Sequence, residues 1–397
     1  MSLLYLIGHR IIQLEMISNR TTTDYVPSLI FIETTKACEY TCRHCRAESQ
    51  TTPAPDQLTL REIKDLLDQI KELSQSPPEV VLTGGDLLLR KDIRDVITYT
   101  HELNLPFSIS PAASPLLDDE FIDFIIDNRV KAVSLSIDGT EDGTHDWLRR
   151  IPGSFNLTLD LLMRMKKRGV NVQINTTVMR RNVNELPVLA SLVKDIGLSA
   201  WEVFFLIKTG RGIRLLDITP EQYMQINHWL SDLSDYGLNV RTVEGPLKRV
   251  IPQIKEISPG ILSGELYSKL SKETRLSKNT VKESGTIARS TGNPHHYFRG
   301  TLFIGQNGIV YPSGLFTYSL GNIRKEKLKA IISKHTDLLD PRHSGLIKGK
   351  CGSCEFLESC GGSRARAFAY TGDPFAEDPA CLYIPVKYNS EVEQRQH

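Results

Sequence analysis

Three cysteines stand close together just past an apolar run. Leu29-Ile30-Phe31-Ile32 leads into Thr35-Lys36-Ala37-Cys38-Glu39-Tyr40-Thr41-Cys42-Arg43-His44-Cys45. The spacing C-x3-C-x2-C lets three thiolates hold three irons of a cubane four-iron–four-sulfur cluster, leaving the fourth iron open to another ligand. Electron-transfer clusters use four cysteines, so an isolated trio points to a cluster that binds something. Structural zinc also takes four ligands. His44 is the nearest fourth donor, but its place directly beside Cys45 makes chelation by both awkward. Cys351, Cys354, Cys360 and Cys381 form a second group. Four soft donors with one C-x2-C pair suit zinc or an iron–sulfur cluster equally by spacing.

The two groups use all seven cysteines of the 397-residue chain. An odd number in tight groups is a poor disulfide framework and a good metal pattern, and it points to a reducing cytoplasm. Hydrophobic residues make up 40% and charged residues 24%, with a formal net charge of +1. That balance fits a soluble globular chain and gives no argument for nucleic acid as a partner. The apolar run Leu3-Leu4-Tyr5-Leu6-Ile7 is broken by His9 and Arg10, far short of a membrane span. No basic segment precedes it, so no signal peptide is expected.

The elements that must position these groups alternate. Strand-like runs fall at 28–33, 79–82, 107–110, 132–137, 171–178 and 201–207. Helix-period segments fall between them at 60–73, 93–103, 120–128, 157–167 and 186–196. Thr59 with Glu62 and Thr219 with Gln222 read as capping boxes that open helices. Six β-α units predict an α/β fold on a parallel sheet. Periodicity alone does not separate an open doubly wound sheet from a partial barrel. The stretch 252–296, rich in Ser, Lys, Thr and Gly, reads as a mobile or substrate-facing connection. Asn307-Gly308 between two short apolar runs predicts a hairpin, and the tail 391–397 is polar.

Other residues at the strand ends suit a charged ligand. Gly84 and Gly85, before Asp86, let backbone approach closely at the end of the second strand. Ser136 and Asp138 follow the fourth strand and suit ribose hydroxyls. His145 and Asp146 come next, either functional or a helix-capping pair, and Arg149 can clamp a carboxylate. Asn175 is a polar residue in a strand read as buried, so it needs a partner. With the cysteine trio, these motifs resemble the radical S-adenosylmethionine (SAM) superfamily. The resemblance implies a (β/α)6 partial barrel over 28–215, with Cys38, Cys42 and Cys45 on a SAM-binding cluster. It implies His44 near the adenine and Gly84, Gly85 and Asp86 at the SAM amino group. Ser136 and Asp138 would face the ribose and methionine ends, Arg149 the SAM carboxylate, and Asn175 a further SAM contact. The segment 205–212 is similar to the family's sixth-strand adenine contact, with Lys208 where a proline is common.

The C-terminal group resembles the family's SPASM extension, whose full pattern carries seven cysteines and two auxiliary clusters. Ser313 and Arg364 stand at cysteine positions of that pattern, so one auxiliary four-iron cluster is implied. The stretch 360–381 resembles radical SAM proteins of the alternative haem and haem d1 pathways and of a neighbouring subfamily. Four regions are therefore expected: an N-terminal extension (1–27), the partial barrel (28–215), a helical and flexible connection (216–297) and a small C-terminal iron–sulfur domain (298–397). The expected activity is reductive cleavage of SAM and hydrogen abstraction from a tetrapyrrole side chain. Peptide modification is the alternative, weakened because the stretch before Cys38 is short for a leader-binding domain. A non-catalytic metal-binding protein is the alternative of another class. An external electron donor such as ferredoxin or flavodoxin is implied. Arg364 and Arg366 read as substrate-carboxylate or structural residues, and His295-His296 as a solvated pair rather than porphyrin ligands.

Overall fold

The computed structural model describes residues 25–277 and 300–388. Most of the expected N-terminal extension, His295-His296 and the 391–397 tail lie outside the described residues. Ten strands form one sheet among the described residues: β1 (Leu29–Glu33), β2 (Glu79–Thr83), β3 (Phe107–Ile109), β4 (Val133–Ser136), β5 (Val172–Val178), β6 (Ala200–Phe205), β7 (Val240–Val243), β8 (Thr301–Ile304), β9 (Ile309–Tyr311) and β10 (Gly321–Asn322). The spatial order is β10-β9-β8-β1-β2-β3-β4-β5-β6-β7. Strands β1 to β7 lie in chain order and pair in parallel.

Right-handed crossovers between neighbours taken in sequence put the connecting helices on one face. A doubly wound sheet needs a reversal of strand order, and none occurs from β1 to β7. That run is consistent with the partial barrel, and β7 and β10 end the strand order. The six expected units are present, and the sheet continues past them on both sides. Strand β7 adds to β6, and β8 pairs in parallel with β1, from Leu29 opposite Thr301 to Ile32 opposite Ile304. The Asn307-Gly308 turn forms as expected, Gly308 adopting φ +82° between antiparallel β8 and β9.

Alternation within the strands separates core from interior. In β5, Val172, Ile174, Thr176 and Val178 are buried, whereas Gln173, Asn175 and Thr177 are half-buried on the opposite face. Helix α1 (Leu60–Lys71) starts at the Thr59–Glu62 capping box and buries Ile63, Leu66, Leu67 and Ile70. Each such side chain contributes about 1.5–3 kcal/mol when fully buried. Helices α2 (Ile93–Glu102), α3 (Asp119–Asp127), α4 (Asp142–Arg149), α5 (Ser154–Lys167) and α6 (Leu186–Ile196) follow in turn. Helix α7 (Pro220–Asp232) opens at the second capping box, Thr219 with Gln222.

The connection expected from 252 is structured where described. Helices α8 (Ile251–Ile257) and α9 (Glu265–Glu273) bury Ile254 and Leu270 completely. Gln225 of α7 accepts the Tyr267 N–H at 3.0 Å. The polar composition hid these sparse apolar anchors. Past β10 lie α10 (Leu328–Lys334) and, beyond several single turns, α11 (Arg364–Thr371).

Candidate active site

The 38–45 loop leaves the end of β1 and is fixed by distant backbone. Gly85 N–H donates to the Thr35 carbonyl and Asp86 N–H to the Ala37 carbonyl, each at 2.7 Å. A Cβ on Gly84 would stand 2.6 Å from the Thr35 oxygen, and one on Gly85 would collide with the Ala37 carbonyl. These glycines therefore let two stretches of backbone touch. On the other side, Gly210 packs on the carbonyls of Cys45 and Arg46, and Arg211 N–H donates to Cys45 at 3.0 Å. The Arg211 guanidinium reaches the Cys42 carbonyl at 2.8 Å, the Ser49 carbonyl at 3.0 Å and the Ser49 hydroxyl at 2.9 Å. Cys38 and Cys42 are buried and Cys45 half-buried. Burial pushes the Cys38 thiol up to about 12 and raises that of Cys42, so these thiolates call for a nearby positive centre.

Helix α4 brings the next residues to the loop. His145 and Arg149 are one turn apart on one helix face, and both meet Asp138. The Asp138 N–H donates to His145 Nδ1 at 3.2 Å, which leaves that nitrogen unprotonated. The Asp138 carboxylate is paired with the Arg149 guanidinium and accepts the Thr177 N–H at 2.7 Å. Burial alone would raise its pKa, but Arg149, His44 and His145 together hold it below the usual carboxylate range. Asp138 is fully buried, both of its oxygens are bonded, and it orients Arg149. Arg149 Nη1 lies 3.7 Å from Cys42 Sγ. His145 and Asp146 part company here. Asp146 accepts from Gly153 N–H, the Ser154 hydroxyl and Phe155 N–H, capping α5.

Two polar atoms beside the trio have no partner. His44 Nδ1 and Arg149 Nε are both buried and unbonded. Burial lowers the His44 pKa to about 4, so its ring is neutral near pH 7. Buried polar groups without partners are rare, and here they mark a place for a ligand. Asp86, by contrast, is committed. It is 2% exposed, and its carboxylate caps the Leu87–Leu89 turn at the Leu88 N–H, 3.1 Å away. Burial raises its pKa.

Ser136 and Asn175 meet in register on the interior face, and the row continues to Glu202 and Arg241. Gln173 Nε2 donates to Glu202 Oε2 at 3.3 Å, and burial raises the Glu202 pKa. Neither Glu202 nor Arg211 stood out in the sequence. Each becomes visible only once strand register and loop packing are known.

The four late cysteines surround one cavity, lined also by Tyr223, Leu247, Gly362, Asp378 and Tyr383. Among the described residues no three His, Cys, Asp or Glu side chains close around a single-ion point; these sulfurs frame a larger space. Gly361 and Gly362 both take positive φ, +68° and +67°, and a Cβ on Gly362 would sit 2.9 Å from Cys351 Sγ. Arg366, 3% exposed, pairs with Asp378 at 3.0 and 3.1 Å and donates to the Glu244 carbonyl at 2.8 Å. Arg364 donates to the carbonyls of Pro374 and Ala376. Arg366 therefore holds the fold, whereas Arg364 Nη2 is buried beside the quartet without a partner. Tyr223 connects this cavity to the sheet, its ring 4.8 Å from Phe205 at the end of β6 and 4.5 Å from the Arg366 guanidinium.

A family model described as the radical SAM superfamily matches residues 32–193. An AdoMet-dependent heme synthase of Oleidesulfovibrio alaskensis is 32% identical over 379 residues, covering 93% of this chain and 91% of that one. The chain belongs to the radical SAM superfamily. A second AdoMet-dependent heme synthase, from Methanosarcina barkeri, is 32% identical over 362 residues, 91% of this chain and 98% of that one. The solved structure of native anSMEcpe with bound AdoMet shares the fold, with a TM-score of 0.62 at 14% identity over 92% of this chain and 96% of that chain. As a radical SAM enzyme the chain works with SAM and a four-iron–four-sulfur cluster. The donor set fits both: three clustered thiols, and two unpartnered buried nitrogens next to them. No helix among the described residues is long and apolar enough to cross a membrane.

Proposed function

We propose that Cys38, Cys42 and Cys45 hold the SAM-binding cluster and that the enzyme acts on a side chain of a tetrapyrrole. The observation that carries this reading is the pair of unpartnered nitrogens, His44 Nδ1 and Arg149 Nε, beside Cys42. Whole-length likeness to two AdoMet-dependent heme synthases supports the substrate class. When bound and reduced, the cluster supplies one electron that splits SAM into methionine and a 5′-deoxyadenosyl radical able to take hydrogen from the substrate.

The chain's own residues supply the rest. Neutral His44 meets the adenine, and Arg149, aimed by Asp138, receives the SAM carboxylate. Ser136 and Asn175 offer the ribose a hydroxyl and an amide from adjacent strands. The turn at Gly84, Gly85 and Asp86 receives the ammonium group through its backbone carbonyls, because the Asp86 carboxylate is taken up by its cap. Cys351, Cys354, Cys360 and Cys381 hold a second four-iron cluster, a one-electron store with no open ligand position.

A place for a flat, carboxylate-bearing substrate lies past the end of β6. Phe316 and Phe368 pack 5.3 Å apart, Tyr318 stands edge-on to Phe368 at 5.8 Å, and Lys208 lies 4.9 Å from the Tyr370 ring. Tyr318 and Tyr370 remain 38% and 43% exposed. Aromatic faces stack on a macrocycle, and the ammonium suits a propionate. A Cβ on Gly314, two residues from Phe316, would stand 3.1 Å from Nε of Arg46, the residue after Cys45. The test is anaerobic incubation with dithionite, SAM and an iron porphyrin bearing propionates. The expected result is 5′-deoxyadenosine together with loss of carboxyl carbon or hydrogen from the porphyrin. Production of 5′-deoxyadenosine with no change in any porphyrin would overturn the substrate class.

A further inference from the structure

Trp147, near the end of α4, is half-exposed against the outer side of the 38–45 loop. Arg43, the residue between Cys42 and His44, donates from Nε to the Trp147 carbonyl at 2.9 Å and from its N–H to the Leu148 carbonyl at 2.8 Å. The guanidiniums of Arg43 and Arg181 lie 4.5 and 4.3 Å from the Trp147 ring centroid. An open depression here is lined by Arg43, Gly143, Asp146, Trp147, Arg150 and Pro152.

The 213–216 segment is tied to this surface. Leu215 and Trp147 pack on the same small cluster of Leu148, Met179 and Leu206. The neighbouring Leu216 accepts the Arg180 N–H at 3.2 Å. Ile213 and Leu216 are 61% and 66% exposed, so an apolar centre stands in water. Around it, Arg150, Arg180, Arg181 and Arg214 are all exposed. Most nearby carboxylates are occupied: Asp146 caps α5, and Glu185 accepts from Thr140. Glu141 stays exposed at the edge. In a chain of net charge +1, this concentration of arginine is local.

We infer that this surface docks a small acidic, flavin-based one-electron carrier protein that reduces the cluster on Cys38, Cys42 and Cys45. The inference rests on the proposed function of that trio. One electron leaves the reduced carrier and enters the oxidised cluster, with no proton or group transferred. Arginines and tryptophan around an apolar centre are the residues that dominate protein interfaces. Arginine is preferred there because it is less strongly hydrated than lysine. Complementary charge steers an acidic partner to this face. Docking against Arg43 brings the carrier's cofactor to the cysteine loop itself.

The test uses the cluster-loaded enzyme, the R150E/R214E double variant and a purified flavodoxin. Calorimetric titration with oxidised flavodoxin should show binding that weakens with salt in the wild type and is at least about tenfold weaker in the variant. With flavodoxin hydroquinone as reductant, the apparent KM for flavodoxin should rise by about the same factor. The rate of 5′-deoxyadenosine formation with dithionite should not change. Unaltered flavodoxin affinity and KM would overturn the inference. So would an equal loss with dithionite, which would mean that the arginines merely support the loop. A shift in oligomeric state on charge reversal would assign the face to a second copy of this chain instead. If the wild type forms no 5′-deoxyadenosine even with dithionite, the proposed function fails, while the calorimetric titration still reads the surface.

Discussion

The two cysteine sites differ in what surrounds them. Beside the trio, His44 Nδ1 and Arg149 Nε are buried without partners. Around the quartet, the buried charges Arg366 and Asp378 satisfy each other, with Ser363 N–H adding a bond to Asp378 at 2.8 Å. The trio hangs between two strand ends, tied by Gly85 and Arg211. The quartet encloses a cavity whose wall includes two left-handed glycines. Arg364 Nη2, near Cys351, is also buried without a partner, so the contrast between the sites lies in three thiols against four and not in a closed network.

The largest contrast should come from removing a single sulfur. Cys42→Ala should abolish 5′-deoxyadenosine formation, read by mass spectrometry, whereas Cys360→Ala should keep SAM cleavage and lose conversion of the substrate. Equal behaviour of the two variants would erase the distinction. Next in size, Arg366→Ala leaves Asp378 buried and unpaired, and should lower stability by about 3–5 kcal/mol in urea unfolding. Arg366→Lys should not restore it, since one ammonium does not reproduce the bonds to both Asp378 and the Glu244 carbonyl.

Acid should weaken the trio's side through His145. Burial holds its folded pKa at about 4, against about 6.5 for an imidazole in water. The unfolded chain therefore binds a proton that the folded chain refuses between those values. Stability falls as pH drops from about 6.5 to about 4, by roughly 3 kcal/mol. His145→Gln should flatten that part of a urea-midpoint profile, and an unchanged slope would remove His145 from the account. The smallest effect is steric. Gly85→Ala forces a Cβ into the Ala37 carbonyl and should cost about 1–3 kcal/mol, with less iron retained by the trio on reconstitution than in Gly260→Ala, where a Cβ meets nothing within 4 Å.

The cysteine spacings and the six strand–helix units were legible because both depend on neighbours in sequence. The Thr59 and Thr219 capping boxes were legible for the same reason. The pairing of Asp138 with Arg149 was not legible, because it exists only when residues 142–149 coil into a helix, a segment too short and polar to announce itself. Arg211 acts on Cys42 across 169 residues, a contact that exists only because β6 ends beside the loop after β1. Strand β7, four residues long, escaped notice, yet its end carries Glu244 at φ +56° into the network below the quartet. The glycines at 84 and 85 were legible, but not that they also admit backbone of the segment leading into the cysteine loop.

The central claim is that one site keeps an iron open and the other does not. Iron analysis and electron paramagnetic resonance of the reconstituted, reduced protein test it most directly. The wild type should hold about eight irons per chain, and a Cys38/Cys42/Cys45 triple alanine variant about four. Adding SAM should change the spectrum of the wild type and leave that of the triple variant untouched. Zinc in the triple variant, or a signal there that shifts with SAM, would contradict the account.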